Sequence, residues 1–518
     1  MNFKLCSLAL ALYCAIHPIA ASAKPNIILI IADDLGYGDL GCHGATKIKT
    51  PHIDKLASTG LRSTAAYAPA STCTPTRYSI LTGDYPWRQK ERKTTILDGD
   101  APLSITPGSA TLPATLKAAG YTTGIVGKWH LGLGDGITPV DFNGEIKPGP
   151  LEVGFDYCHI IPATVDRVPT VWIENHRVPN LDPQDPIRVN YLENISNEPT
   201  GIERPDLLKQ KADKQHSNTI HNGISRIGFM KGGHAARFKD EELPATVIAK
   251  SEAFIQRHKD SPFFLTVGLF EPHVPRIAAP HLQGSSDCGI RGDVIQQIDW
   301  QVGELMKTLE KHNLTNNTIV IITSDNGPLF FDGYFDKSAE EANGHDPAGG
   351  LRGGKYNVFE GGCRVPFIAT WPGHIAPSVS SDIISLSDLY ATFASIAGTT
   401  VKSGTARDSI DQSSKWLGKN QTTVRDSVVL QGISGSIAIR SGEWKLIPSN
   451  AKAGVSGTGS GANAADPRFA AATISETLLF NLAQDPSESR NLAAENPEKV
   501  TQLTNLLHQL GAPLPAGN

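Results

Sequence analysis

Two continuous apolar runs, each ending in acidic residues, constrain this chain most. Asn26–Ile31 (NIILII) leads into Asp33-Asp34, and Thr318–Thr323 (TIVIIT) leads into Ser324-Asp325-Asn326-Gly327. A strand with one face in water alternates apolar and polar residues. A run that is apolar at every position has to be covered on both faces, as the central strands of a parallel sheet are. Candidate helices and further strands alternate along the rest of this part. Thr50-Pro51 opens a helix that stops at Gly60, and a helix from about Leu112 to Gly120 precedes a strand at Tyr121–Val126. A helix near Pro244–His258 precedes a strand at Phe263–Phe270, and a longer helix near Gly289–His312 precedes the second apolar run. Val365–Thr370 and a helix near Leu386–Ala397 follow. This alternation predicts an α/β fold with a mostly parallel sheet sandwiched by helices. In such sheets ligands gather beyond the carboxyl ends of the strands, which is where Asp33, Asp34, Asp325 and Asn326 would lie.

The chain has 518 residues, enough for a large core and more than one domain. Its 47 Lys+Arg against 52 Asp+Glu give a formal charge of −5 without long blocks of one sign. That balance argues against nucleic acid or an anionic membrane as main partner, and an anionic ligand would need a local basic pocket. Lys4, the apolar stretch Leu5–Ile16 and Ala21-Ser22-Ala23 read as a signal peptide over 1–23, so the protein is expected to be exported, periplasmic or secreted. The stretch is short for a membrane span, and neither Cys6 nor Cys14 stands just ahead of the cut, so no membrane anchor is expected. Cys42, Cys73, Cys158, Cys288 and Cys363 then remain, an odd number that marks one thiol as special in an exported protein. The expected catalytic domain is 24–400, with a Pro- and Asn-rich insertion at about 140–240 lining a pocket rim. A smaller α+β subdomain is expected at 401–518. It would have antiparallel strands at Ser427–Gln431, Ser436–Arg440, Trp444–Ile447 and Thr477–Asn481, a Gly/Ala/Ser-rich loop at about 452–466 and a helix at Pro497–Leu510.

The stretch Ser71-Thr72-Cys73-Thr74-Pro75-Thr76-Arg77, with Ile80-Leu81-Thr82-Gly83 behind it, carries the chemistry. Pro75 suits the first turn of a helix ending near Gly83, a helix N-terminus favours anions, and Arg77 follows one turn on. Those features alone also describe a capped helix with a buried cysteine. The segment, however, resembles the C-x-P-x-R motif and trailing T-G of the formylglycine-dependent (type I) sulfatases, in particular bacterial polysaccharide sulfatases. Five separated motifs agree in order, from about Asn26 to the C-terminal strands. The resemblance implies an alkaline-phosphatase-like fold and a formylglycine that a maturation enzyme makes from Cys73, whose hydrated aldehyde attacks sulfur. Asp33-Asp34 and Asp325-Asn326 match the family's two metal-ligand pairs. With an oxygen from the Cys73 position they form a hard-oxygen set suited to Ca²⁺. In Gly127-Lys128-Trp129-His130, which resembles G-K-W-H, Lys128 would hold the hydrated aldehyde and the sulfate, and His130 would take the second hydroxyl's proton. His273 in Pro272-His273-Val274-Pro275 would protonate the leaving oxygen, and Lys355, ahead of Glu360-Gly361-Gly362-Cys363-Arg364-Val365-Pro366, would neutralise sulfate charge together with Arg77.

Substrate is less constrained. His159, Arg276, His345, Arg352 and Arg237 are candidate contacts to sulfates or hydroxyls, though a structural histidine or a salt bridge explains each equally well. Trp172 could stack on a sugar or sit in the core. The resemblance implies a carbohydrate sulfatase acting on a sulfated glycan, with an algal galactan such as carrageenan as first expectation and a glycosaminoglycan as the alternative. A phosphonate monoester or phosphodiester hydrolase can use the same site. A non-catalytic glycan-binding protein would lack active residues, and none of the core set is absent.

Overall fold

The structure, a computed structural model, describes residues 24–89, 96–433, 435–449 and 475–514. The expected signal peptide and the Gly/Ala/Ser-rich loop lie outside the described residues. The principal sheet contains β1 (Asn26–Asp33), β2 (Leu61–Ser63), β3 (Thr122–Lys128), β4 (Tyr157–Ile161), β5 (Ile173–Glu174), β6 (Phe263–Pro272), β7 (Thr318–Ser324), β8 (Phe367–Thr370) and β9 (Ser378–Ser380). Their order is β9-β2-β8-β7-β1-β6-β3-β4-β5. The middle five, β7 to β4, are all parallel, whereas β8 runs antiparallel to β7, β2 to β8 and β5 to β4. The sheet is therefore mixed but mostly parallel, and Val365–Thr370 supplies an antiparallel strand that starts two residues later than the sequence suggested.

The two apolar runs behave as their composition requires. Ile27, Leu29 and Ile31 pack with Ile319 and Ile321 on one face of the sheet, and Ile28, Ile30 and Ala32 pack with Val320, Ile322 and Leu265 on the other. Helices α1 (Pro51–Thr59), α4 (Leu243–His258) and α5 (Gly289–Lys311) cover the second face through Ile53, Val247, Ile295 and Val302. On the first face, α2 (Cys73–Thr82), α3 (Leu112–Ala118) and α6 (Asp388–Ile396) contribute Ile80, Leu112, Leu116 and Phe393. With β1 and β7 shielded on both sides, the polar residues that follow them emerge only at the carboxyl edge. There β7, β1, β6 and β3 are successive neighbours, so Asp325, Asp34, His273 and Lys128 arrive side by side.

The C-terminal part forms a four-stranded antiparallel sheet in sequential order, β10 (Ser427–Gln431), β11 (Ile437–Ser441), β12 (Trp444–Ile447) and β13 (Leu478–Asn481). Helix α7 (Pro497–Gln509) packs Leu503 and Leu507 into the same core, which also takes in Tyr67, Val358 and Phe359 from the larger unit. A buried ion cluster crosses this junction. Lys445 Nζ on β12 lies 2.9 Å from both Glu360 Oε1 and Glu488 Oε1. Glu488 Oε2 accepts the Glu360 backbone N–H at 2.6 Å, and Tyr67 donates to Glu360 Oε2 at 2.7 Å. Burial pushes the Glu488 carboxyl up to about 7, because Lys445 is shared with the neighbouring Glu360.

Removing one partner of a buried ion cluster leaves uncompensated charge, which typically costs about 3–5 kcal/mol. Lys445→Met should therefore lower the thermal unfolding midpoint sharply. An unchanged midpoint would show that the junction does not depend on this cluster.

Candidate active site

Cys73 is the first residue of α2 and is buried. The helix start is tied to the neighbouring strand end by Thr74 Oγ1, which donates to the His130 carbonyl at 3.0 Å. Arg77, one turn on, donates from Nε to Asp325 Oδ2 at 2.8 Å and from Nη1 to the Lys128 carbonyl at 3.2 Å. Lys128 Nζ is 2.5 Å from Asp33 Oδ2 and 3.7 Å from Asp325 Oδ2. Lys355 Nζ bridges Asp34 Oδ2 and Asp332 Oδ2, each at 2.9 Å. His273 Nε2 faces the same two carboxylates at 3.9 and 4.0 Å. Its other ring nitrogen, Nδ1, is 2.6 Å from the Val274 carbonyl, so that nitrogen carries the hydrogen and Nε2 is the atom presented to the site. The motifs separated by up to 322 residues thus meet in one buried cluster.

The ionisation of the cluster follows from burial opposed by charge. Desolvation raises Asp33 to about 6 despite Lys128 beside it. Asp34 is buried as deeply, yet Lys355 and His273 hold its carboxyl below the usual range. Lys355 stays protonated, since Asp332 and Asp34 outweigh its burial. Burial and the positive Lys128 hold His130 well below the ordinary histidine value, so it is neutral; its Nε2 bonds the Leu97 carbonyl at 2.9 Å and its Nδ1 has no partner. Burial pushes the Cys73 thiol up, leaving little thiolate at neutral pH.

The donor set fits a metal ion. Asp33, Asp34 and His273 bring ligand atoms within 4.8 Å of one another. Asp33 Oδ1 and Asn326 Oδ1 are buried acceptors with no hydrogen-bond donor. Asn326 Nδ2 donates to Asp34 Oδ1 at 2.7 Å, which fixes the amide so that its oxygen is the free end. Buried oxygens without donors are costly, and a cation relieves that cost. Carboxylate and amide oxygens favour hard ions such as Ca²⁺ or Mg²⁺.

Beside this cluster is a cavity of 210 Å³ lined by Cys73, His273 and Lys355. It also takes in Asp166 and Arg167, a pair the insertion shares with bacterial polysaccharide sulfatases in sequence, and four residues that the sequence did not single out: Gln215, His216, Asp332 and Tyr356. Tyr356 donates its hydroxyl to Asp332 at 2.9 Å. Arg167 bonds Asp166 at 3.0 Å, and His216 bonds Asp213 at 2.8 Å. Burial alone would lower His216, but its contacts with Asp166 and Asp213 push it up to about 9, so it carries charge toward the cavity. Asp332 stands in an irregular loop with no pattern to mark it. Only the Asp-Arg pair within the insertion offered a signal.

The five candidate sugar contacts lie elsewhere, and their structural alternatives account for them. His159 is inside β4, 3% exposed and stacked on Trp172 at 4.6 Å, and Trp172 in turn packs against Phe238 and Phe270 in the core. Arg276 is buried, with its guanidinium on Asp336 and the Pro272, Leu329 and Phe330 carbonyls. His345 Nε2 is bonded to Asp39, which Arg291 also holds. Arg352 lies over the Phe359 ring and donates to the Glu488 carbonyl. Arg237 pairs with Glu198. None of the five lines the cavity beside Cys73.

The sequence profile of the sulfatase family matches residues 25–399. The chain belongs to this family. It is a sulfuric ester hydrolase, with an alkaline-phosphatase-like fold. The sulfatase is 47% identical over 491 residues to N-acetylgalactosamine-6-O-sulfatase of Bacteroides thetaiotaomicron, covering 94% of this chain and 93% of that one. It is 33% identical to arylsulfatase A of Bos taurus over 96% and 90% of the two chains. A solved structure from the metabolism of multiple glycosaminoglycans by Bacteroides thetaiotaomicron superposes with a TM-score of 0.89 at 46% identity, over 94% of this chain and 99% of that one. The crystal structure of Ps i-CgsB superposes with a TM-score of 0.66 at 25% identity, over 95% and 94%.

A site with unpaired carboxylate and amide oxygens predicts stabilisation by metal. Ca²⁺ at about 100 times its dissociation constant should stabilise this sulfatase by about 2.7 kcal/mol, raising the thermal midpoint, and a chelator should reverse it. Asp33→Ala should abolish the response. A Ca²⁺ shift that survives this substitution would place the ion elsewhere.

Proposed function

We propose that this sulfatase removes the 6-O-sulfate of N-acetylgalactosamine from glycosaminoglycan fragments, using a formylglycine made from Cys73 and a Ca²⁺ ion. Likeness across 94% of the chain at 47% identity to an enzyme named for that activity carries the reading. The first expectation, an algal galactan such as carrageenan, gives way to its alternative, the glycosaminoglycan. Ps i-CgsB, which has also been crystallised with k-i-k-neocarrahexaose, is only 25% identical.

Asp33, Asp34, Asp325 and Asn326 would hold the ion, which when bound would draw negative charge off the sulfate. Cys73 as a thiol is poorly suited to attack, because burial keeps it protonated. A hydrated aldehyde at that position would supply one hydroxyl for attack on sulfur and a second whose deprotonation would let the sulfate leave by C–O cleavage. Arg77, Lys128 and Lys355 converge on the start of α2 and spread the charge that builds up on the sulfate oxygens. Lys355 is already locked between Asp34 and Asp332, so it needs no reorganisation. His130 is neutral with a free Nδ1, the state a proton acceptor needs. His273 presents Nε2 and, as the imidazolium with Nδ1–H held by the Val274 carbonyl, would deliver a proton to the departing sugar oxygen. Asp166, Arg167 and His216 line the cavity opposite these groups and would meet the sugar ring itself.

Residues 1–23 support export, and a maturation enzyme acting on Cys73 is the implied partner. No helix among the described residues is long and apolar enough to cross a membrane.

Three measurements test this reading. The peptide carrying Cys73, taken from active protein, should be lighter by roughly 18 Da and react with hydrazine; an intact thiol in active enzyme would remove the nucleophile assigned here. His130→Ala should lower kcat by about 10²–10⁴-fold. Among substrates, 6-sulfated N-acetylgalactosamine should be hydrolysed in preference to carrageenan oligosaccharides and to a phosphodiester. A preference for either rival would overturn the substrate assignment.

A further inference from the structure

Two cations that the sulfate chemistry does not use stand on a segment that runs into the cavity. Residues 209–214 run beside residues 332–336: Ala212 bridges Tyr334, Asp213 N–H donates to the Gly333 carbonyl at 2.7 Å, and Phe335 N–H donates to the Lys211 carbonyl at 2.8 Å. Both segments lead straight into the cavity, one through Gln215 and His216 and the other from Asp332. Their acidic side chains are all engaged: Asp213 by His216, Asp332 by Lys355 and Tyr356, and Asp336 by Arg276. Lys211 and Lys214 are exposed and have no carboxylate partner among the described residues. Phe335 is 46% exposed, an unusual position for a phenyl ring, with Lys211 Nζ 5.7 Å from its centroid and Phe331 behind it at 5.0 Å.

We propose that Lys211, Lys214 and Phe335 form a subsite for a second, anionic sugar next to the one that loses its sulfate. The inference rests on the glycan reading above and extends it to the neighbouring unit. The exposed ring offers apolar surface to a pyranose, and the Lys211 ammonium beside it, with Lys214 three residues on along the same segment, meets a hexuronate carboxylate or a second sulfate ester, which present the same chemistry. The chain as a whole carries a charge of −5, so two uncompensated cations on a segment that runs into the cavity also steer an anionic oligosaccharide toward it. The cavity of 210 Å³ is small beside an oligosaccharide, so neighbouring units extend past its lining.

The test compares the wild type with the double variant Lys211→Ala/Lys214→Ala and with Lys211→Arg/Lys214→Arg. The substrates are 6-sulfated N-acetylgalactosamine, the two disaccharides that join a hexuronate to its O1 or O3, their carboxyl-reduced forms, and the reduced forms carrying a second sulfate. The wild type should favour at least one anionic disaccharide over the monosaccharide. The alanine variant should lose about tenfold in kcat/KM on it, mostly through KM, and keep its monosaccharide rate. The arginine variant should retain the preference, and salt should erase it in the wild type. Loss restricted to uronate substrates identifies the carboxylate as ligand; loss restricted to the doubly sulfated ones identifies a sulfate. Equal losses on mono- and disaccharide, or no loss on either, would overturn the subsite while leaving the sulfatase reading intact. A wild type that hydrolyses a sulfated glycan but none of the N-acetylgalactosamine esters would overturn the substrate reading, and the subsite with it.

Discussion

The structure depends on holding three carboxylates, Asp33, Asp34 and Asp325, out of water in one place, with a fourth, Asp332, in the cavity wall beside them. Burying a single unpaired carboxylate is prohibitively costly, so the cluster exists only because Arg77, Lys128 and Lys355 are brought against it. Each cation comes from a different part of the chain: a helix start, a strand end and an irregular loop. The sheet has to be complete before any of these pairs can form. That requirement explains the architecture around the site. The strands that deliver the carboxylates are the central ones, shielded on both faces, because a solvated edge strand could not fix charged groups to within a few tenths of an ångström. The same arrangement leaves two oxygens without donors, and that residual imbalance makes the cluster receptive to a cation.

A second buried cluster, Glu360-Lys445-Glu488, ties the C-terminal sheet to the turn that follows Lys355. Arg352 adds a bond from the same loop to the Glu488 carbonyl. The loop bearing Lys355 and Tyr356 is thus held at one end by the active-site carboxylates and at the other by the C-terminal sheet. A small sheet that contributes little to the cavity lining still helps set the position of Lys355 and Tyr356 in the cavity wall. Its partly shared lysine makes this junction electrostatically demanding, and its apolar core of Tyr67, Val358 and Phe359 supplies the complementary packing.

In the function proposed above, chemistry and selectivity come from different parts of the chain. The groups assigned to sulfate cleavage, Lys355 apart, stand at the ends of regular elements, where backbone geometry fixes them. The groups facing the rest of the cavity, Asp166, Arg167, Gln215 and His216, come from the insertion, whose backbone is largely irregular and whose side chains brace one another. An irregular segment can change length and composition without disturbing the sheet. This division is the physical reason that one sulfatase scaffold can serve different glycans.

The sequence by itself determined the α/β sheet and its two shielded central strands, and its motifs named the residues that meet in the buried cluster. Periodicity of two with both faces apolar permits one environment only, and Cys73, Lys128, His273 and Lys355 lie in short contiguous motifs. It also placed α5 and the C-terminal strands to within a few residues, because their apolar faces are regular. Tertiary structure alone decided which polar residues of the irregular segments face the cavity. Asp332 and His216 owe their role to loops folding back on strand ends. His159, Arg276, His345, Arg352 and Arg237 are drawn into the scaffold by Trp172, Asp336, Asp39, Glu488 and Glu198, partners far from them in the chain. A histidine or arginine has the same composition in a core as in a binding site. Only the position of its partner distinguishes the two, and local sequence does not specify that position.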